Sequence, residues 1–420
     1  MNRIILHSDM NAFYASVECF FNPSIRDKPV AVAGDPEARH GIILAKNQLA
    51  KVHGVKTGEA IWEAKAKSPD LVVMPPQYKL YQEYSQKARR IYYDYSPNVE
   101  PFGLDEAWID LTGYACDIAE GERMANDIRH RITEELGVTA SVGVSFNKVF
   151  AKLGSDLKKP DATTVISEED YRDKVWPLPS AELLYVGRAT QQKLTNYGIM
   201  TIGDLAQSDA KWLEARLGKW GIMLWRFANG LETQRVAEFA ASSPIKSMGN
   251  STTTPRDLLT PDDVYITTMI LSESVAARLR EGGFRCRTVQ VSIRGKDLMS
   301  YERQAKLPYH ACDSDTIGEA AMSLYRRHHL STGGAPIRSL GVRACDLVPA
   351  KDVQLSLLPE VIHAHARERI EETIDQLRGR YGHFCIQRGV MLTDKQLSHL
   401  NPKGDHTIHP IGYFSDGSII

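Results

Sequence analysis

Three acidic residues stand where apolar strands begin or end, and they constrain this 420-residue chain more than any other feature. Residues 3–8 read as a strand that runs into Asp9, with a helix following from about Phe13. VEPFGLDEAWIDLTG reads as a turn and a strand in which Ala107, Ile109 and Leu111 alternate with Trp108 and Asp110; Asp105 and Glu106 stand at its start. A single Asp at a strand end is more often a turn or helix cap than a catalyst. What raises these three above that reading is that their strands belong to one predicted sheet, where side chains are not simply solvated.

The chain is too long for one ordinary core and divides into two to four domains. GIILAKNQLAKVHGVKTGEAIWEAKAK is a strand followed by two short helices, and 78–95 carries apolar and aromatic residues at helical spacing. Residues 117–136 form an amphipathic helix, and ASVGVSFNKVFAKLGSDLKKP is a strand running into a helix. Such alternation is an α+β sheet domain with helices packed against it. After Val165 come short helices, two of them in LLYVGRATQQKLTNYGIMTIGDLA around a glycine-containing turn, and AEFAASSP (237–244) looks like a linker. Beyond it a second α+β unit runs to about Pro349: helix 262–281, strand RTVQVSIRG, a helix near 317–329 and strand RSLGVRACDL. QLSLLPE, a strong helix and a polar tail complete the chain.

An apolar fraction of 43% and a charged fraction of 25% are those of a soluble globular protein. No stretch is apolar enough to span a membrane, the first residues do not form a signal peptide, and the six cysteines never form a CxxC pair, so a cytoplasmic protein without structural zinc is expected. Net charge is −1, which hides a local bias. From Arg285 to Lys306 there are six basic residues against two acidic ones, Asp297 and Glu302.

Convergence of Asp9, Asp105 and Glu106 would have a chemical consequence. Two unit charges about 4 Å apart repel by about 4 kcal/mol at an effective dielectric near 20. Without a cation, one carboxyl keeps its proton and the cluster titrates as a coupled group. Oxygen ligands with no His or Cys nearby favour magnesium, with manganese as a substitute, and magnesium binds substrate phosphates. The natural chemistry is phosphoryl transfer by two ions roughly 3.5–4 Å apart.

SDMNAFYASVE, GLDEAWIDLTG and SVGVSFNKVFAKLGSDLKKP, in this order and spacing, resemble the three catalytic motifs of the Y-family translesion DNA polymerases. The resemblance runs from Met1 to about Leu347, and the DMN form and the later tail look closer to UmuC-type members than to DNA polymerase IV. It implies a right-hand architecture: a palm at 1–166 with small fingers inserted at about 20–77, a helical thumb at 167–235, a linker at 236–244, a separate α+β little finger at 245–349 and a tail at 350–420. It implies Asp9, Asp105, Glu106 and the carbonyl of Met10 as ligands of two Mg2+, and error-prone translesion synthesis from dNTPs on primer–template DNA as part of the SOS response to DNA damage.

The same resemblance makes Tyr14 the ring that stacks under the incoming sugar and excludes a 2′-hydroxyl, with Phe13 as a further substrate contact. The family's fingers Tyr and Arg fall on Gln48 and Lys51 here; Lys51 can pair with phosphate as a point charge, but Gln48 cannot stack. Lys159 is the implied phosphate contact after the third motif. LLYVGRATQQKLTNYGIMTIGDL resembles the thumb's helix-hairpin-helix, where Gly187 lets backbone N–H groups approach a DNA phosphate. Arg285, Arg287, Arg294 and Lys296 fall in the little-finger segment; Thr288, Gln290, Ser292 and Arg294 share one strand face, suited to salt-sensitive backbone binding. QLSLLPE (354–360) resembles the peptide that docks bacterial polymerases on the sliding clamp, with Gln354, Leu355, Leu357 and Leu358 as anchors. Accessory subunits are further candidate partners. A catalytically idle DNA- and clamp-binding scaffold of the same fold is the rival reading, opposed by the intact acids. A nucleotide cyclase would need neither hairpin, basic domain nor clamp peptide.

Overall fold

Burial along the whole of β1 (Ile5–Met10) makes it a central strand. The computed structural model describes residues 3–35, 41–237, 245–353 and 359–405. The described residues divide into two compact units, 3–34 with 42–237 in the first and 245–353 with 359–405, together with Asp35 and Gly41, in the second. In the first, β1 is followed by β2 (Val30–Ala33), β3 (Ile43–Lys46), β4 (Val72–Met74), β5 (Val99–Pro101), β6 (Glu106–Asp110), β7 (Ala140–Ser145) and β8 (Thr163–Ile166). Five form a sheet in the order β5-β6-β1-β7-β8, and three form a smaller sheet in the order β3-β2-β4.

The helices of this unit begin with α1 (Phe13–Phe21), α2 (Gln48–Val52), α3 (Ile61–Lys67), α4 (Tyr78–Tyr93), α5 (Ile118–Leu136) and α6 (Lys148–Leu157). α5 starts where Asp117 accepts the Glu120 N–H and stops at Gly137, whose φ of 67° favours glycine. α6 starts where Asn147 accepts the Phe150 N–H, and it lies flush on β7. A Cβ on Gly143 would come within 1.9 Å of the Ala151 carbonyl oxygen and 2.6 Å of the Ser155 nitrogen. Only a glycine allows so close an approach.

Five shorter helices follow: α7 (Tyr171–Val175), α8 (Arg188–Asn196), α9 (Ile202–Gln207), α10 (Ala210–Leu217) and α11 (Lys219–Ala228). Their own apolar cluster includes Leu194, Ile202, Leu205, Leu213 and Leu224, with Val149, Phe150 and Leu153 from α6.

The second unit is an antiparallel sheet of β9 (Ser247–Leu258), β10 (Phe284–Gly295), β11 (Ser300–Ala311) and β12 (Ile337–Pro349), ordered β11-β10-β12-β9. Helices α12 (Pro261–Glu281) and α13 (Ser314–His328) cover one face, where Val289, Val291, Ile293, Leu340 and Val342 meet Leu271, Val275, Ile317 and Met322. The described part of the tail belongs to this unit: α14 (Pro359–Tyr381) pairs with it through charges, and Met391 and Leu397 enter its core. The linker residues from 238 to 244 and the clamp-like anchors Gln354, Leu355, Leu357 and Leu358 lie outside the described residues. No described helix is long and apolar enough to cross a membrane, and all six cysteines are free.

Candidate active site

Antiparallel pairing of β1 with β6 sets Asp9 opposite Glu106, and the Met10 N–H donates to the Asp105 carbonyl at 3.0 Å. Two strands of one sheet therefore carry the acids to the same end. Beyond Met10 the chain turns sharply through Ala12, a non-glycine residue in the left-handed region at φ 49°, and enters α1. That conformation costs about 1 kcal/mol and persists only where its surroundings hold it.

Lys152, from α6, ties the cluster together. Its Nζ lies 3.1 Å from Asp9, 2.9 Å from Glu106 and 3.2 Å from Asp156. Burial opposes its charge, but the three carboxylates outweigh that and raise its pKa. Lys159 reaches the same Asp9 oxygen at 2.6 Å and Asp156 at 2.9 Å. Asp105 is less well compensated: burial, then the charges of Asp9 and Glu106, push its pKa up to about 7. Among the described residues no three His, Cys, Asp or Glu side chains close into a ready-made metal cage; Lys152 sits between the carboxylates.

His7 adds to the imbalance. It is fully buried on the same strand face as Asp9, and burial followed by Lys152 lowers its pKa to about 3, so its ring is neutral. Ser155 donates its hydroxyl hydrogen to the Lys152 carbonyl at 2.7 Å, so the His7 Nδ1–H donates to Ser155 at 2.9 Å. Nε2 then presents a lone pair 3.3 Å from Glu106 Oε2, the oxygen that Lys152 Nζ meets at 2.9 Å, and Nε2 itself has no hydrogen-bond partner. A carboxylate facing a lone pair favours a cation, which Lys152 supplies here.

Tyr14 is at the start of α1, stacked on Tyr81 at 4.2 Å and 11°, with its pKa raised to about 12 by burial and then by Asp105. Tyr81 is fixed in turn by Glu18, which is 1% exposed and accepts its hydroxyl at 2.5 Å and the Gln77 amide at 2.9 Å. Phe13 is 3% exposed and packs against Tyr14 and Tyr81, so it backs the Tyr14 ring from the core side and has little surface for substrate. Gln48 and Lys51 are exposed on α2. Lys46 comes close enough to Lys51 that its pKa falls, through burial first and Lys51 second.

Sequence reasoning missed Lys152, His7, Lys46 and Glu18. For Lys152 a signal existed: Lys152, Asp156 and Lys159 follow i, i+4, i+7 spacing, which sets alternating charges on one helical face. Gly187 caps the N-terminus of α8 with open space where a Cβ would stand. On β10 the face carrying Gln290, Ser292 and Arg294 is uncovered by helices, and Lys296 is exposed beyond it. Arg287 is at a bulge in the pairing of β10 with β11. Arg285 departs from expectation: its guanidinium is paired bidentately with Glu368 of α14, which removes it from any free basic face.

A mixed fold with acids at the end of a five-stranded sheet, lysines beside them and a stacked tyrosine pair nearby fits a nucleotidyl-transfer class of site. The impB/mucB/samB family matches residues 8–156, and its C-terminal domain matches 245–357. A DNA polymerase IV of Acetivibrio thermocellus is 49% identical over 95% of this chain and 100% of its own length. That of Moorella thermoacetica is 37% identical over 93% of this chain and 96% of its own. A solved Y-family DNA polymerase chimera shares the fold with a TM-score of 0.73, at 23% identity, over 82% of this chain and 99% of its own. The chain belongs to the Y family of DNA polymerases, of DinB type. These relatives carry the polymerase IV name rather than the UmuC kinship suggested by the DMN form and the tail.

Proposed function

We propose that this polymerase adds dNTPs to a primer 3′-hydroxyl on a DNA template, is error-prone, and copies past lesions. The observation that carries the reading is the meeting of Asp9 and Glu106 on one lysine beside an Asp105 whose pKa is pushed to about 7. Such a cluster is short of positive charge, and its donors are all hard oxygens, which fits magnesium. Asp9, Asp105, Glu106 and the Met10 carbonyl would hold two Mg2+, or Mn2+ in their place. Those ions would supply charge neutralisation for the hydroxyl and for the departing pyrophosphate.

The protein's own groups do the rest. Tyr14, braced by Tyr81, leaves no room for a 2′-hydroxyl. Lys159 and Lys152, with Lys51 and Lys46 from the smaller sheet and α2, supply positive charge for the triphosphate, and Gln48 stands beside them. The five-stranded sheet is the palm, the three-stranded sheet with α2 and α3 the fingers, the α7–α11 segment the thumb and the second unit the little finger. Small fingers close loosely on the nascent pair, so selection rests on the weak energetics of pairing. Gly187 and the β10 face with Arg294 and Lys296 hold the DNA backbone, and the 354–358 peptide docks on a sliding clamp. The place of work is the cytoplasm.

Primer extension on damaged and undamaged templates tests the reading. Wild type should extend both, and Asp105→Ala should extend neither while still binding DNA; unchanged extension by that variant rejects the site.

A further inference from the structure

Asn11 follows the metal-binding end of β1 by one residue and stands before α1, where an Asn ordinarily caps a helix. It does not: the N-cap position is Ala12, with no side-chain cap bond. The Asn11 side chain, 7% exposed, turns instead towards the loop that carries Lys159. Its Oδ1 accepts the backbone N–H of Asp161 at 2.8 Å and the Thr139 hydroxyl at 3.1 Å, and its Nδ2 donates to Ser141 at 3.0 Å.

The opposite side of the same loop is gripped by Arg129. Its Nη2 donates to the Asp161 carbonyl at 2.7 Å and to the Asp161 carboxylate at 2.8 Å, and its Nη1 reaches Asn126 at 2.9 Å. Asp161 has a φ of 51°, a conformation that a residue with a side chain keeps only when its surroundings impose it. Lys159 lies two residues earlier, on a flexible stem whose aim follows from where this turn is held. We propose that Asn11, with Arg129, is a positioning residue that locks the turn at Asp161 and thereby aims Lys159 at the phosphates of the incoming nucleotide. One side chain thus links the strand end bearing Asp9 to the lysine that meets the triphosphate. The inference rests on the role given to Lys159 above.

The test is single-nucleotide insertion by the full chain on primer–template DNA, with kcat and KM for dNTP separated. Lys159→Ala sets the scale, with KM raised about tenfold. Asn11→Ala should raise KM by about fivefold with kcat within about twofold of wild type. Asn11→Asp keeps an acceptor for the Asp161 N–H and should bring KM back. Arg129→Met, which frees the turn from the solvent side without touching β1, should also raise KM, and covers the case in which Asn11→Ala folds poorly. The double variant Asn11→Ala with Lys159→Ala should be no worse than Lys159→Ala alone, because both act through one ammonium. Additive losses, a wild-type KM in Asn11→Ala and Arg129→Met, or an unchanged KM in Lys159→Ala would each overturn the proposal. Failure of the polymerase reading looks different: Asp105→Ala would then still extend primers.

Discussion

The acidic end of the five-stranded sheet and the seam between α14 and the helices of the second unit both bury many charges, but they balance them differently. In the seam each of four acids meets an arginine, although burial still raises the Glu371 pKa and Asp313 Oδ2 has no hydrogen-bond partner. Glu371 pairs with Arg280, Glu368 with Arg285, Asp313 with Arg367, and Glu273 with both Arg378 and Arg388. At the sheet end Lys152 and Lys159 meet Asp9 and Glu106, but among the described residues Asp105 has no such partner and its pKa is pushed up to about 7. Matched burial fixes how one segment docks on another, whereas unmatched burial is a standing demand for a ligand.

The largest expected effect breaks the unmatched side. Asp105→Ala should lower primer extension by about a thousandfold, with DNA affinity within about twofold of wild type by fluorescence anisotropy. Loss of both would make the cluster structural. On the matched side, Arg280→Met takes the closest arginine from Glu371 and Asp375 and should destabilise the second unit by about 3 kcal/mol in urea unfolding. Replacing Arg280 and Glu371 together by apolar residues should recover much of that loss.

A smaller effect sharpens the comparison through pH. Asp105 holds its proton to about 7 in the folded protein, against an ordinary value of 3.8. The folded chain therefore binds a proton that the unfolded chain releases across that window, and the free protein should lose stability as pH rises through it. Measured as Tm relative to Asp105→Asn, wild type should decline between about pH 4 and pH 7; a flat difference would deny the strain. The smallest effect belongs to neither region. The exposed i, i+4 pair of Arg131 and Glu135 should change stability by under about 0.5 kcal/mol on Glu135→Gln, as seen by urea unfolding.

Local patterns made some of this legible and left the rest hidden. The alternation in RTVQVSIRG foretold the two faces of β10 except at Thr288, which follows a bulge and is buried against Asp346, and motif spacing brought out Asp9, Asp105 and Glu106. β9 and β11 went unread because SMGNSTTTPRDL and SYERQAKLPYHA each hold a proline and lack a clean apolar alternation. Arg285 looked like part of a basic stretch because Glu368, its partner, is 83 residues away. The docking of the tail depends on such distant pairs and leaves little periodic trace. His7 was invisible for a related reason: its meaning comes from Ser155, Lys152 and Glu106, which only the folded sheet assembles.

The bare contact of α6 with β7 at Gly143 has a consequence for how this protein can vary. An alanine there would act as a wedge, lifting the helix by roughly 1 Å or more, since packed backbones have no slack to absorb a methyl group. Lys152 and Ser155 would ride outward with it, away from Asp9 and His7 on β1. A position with no side chain thus has a veto comparable to that of the acids, and in a saturation library residue 143 would tolerate as little as residue 105.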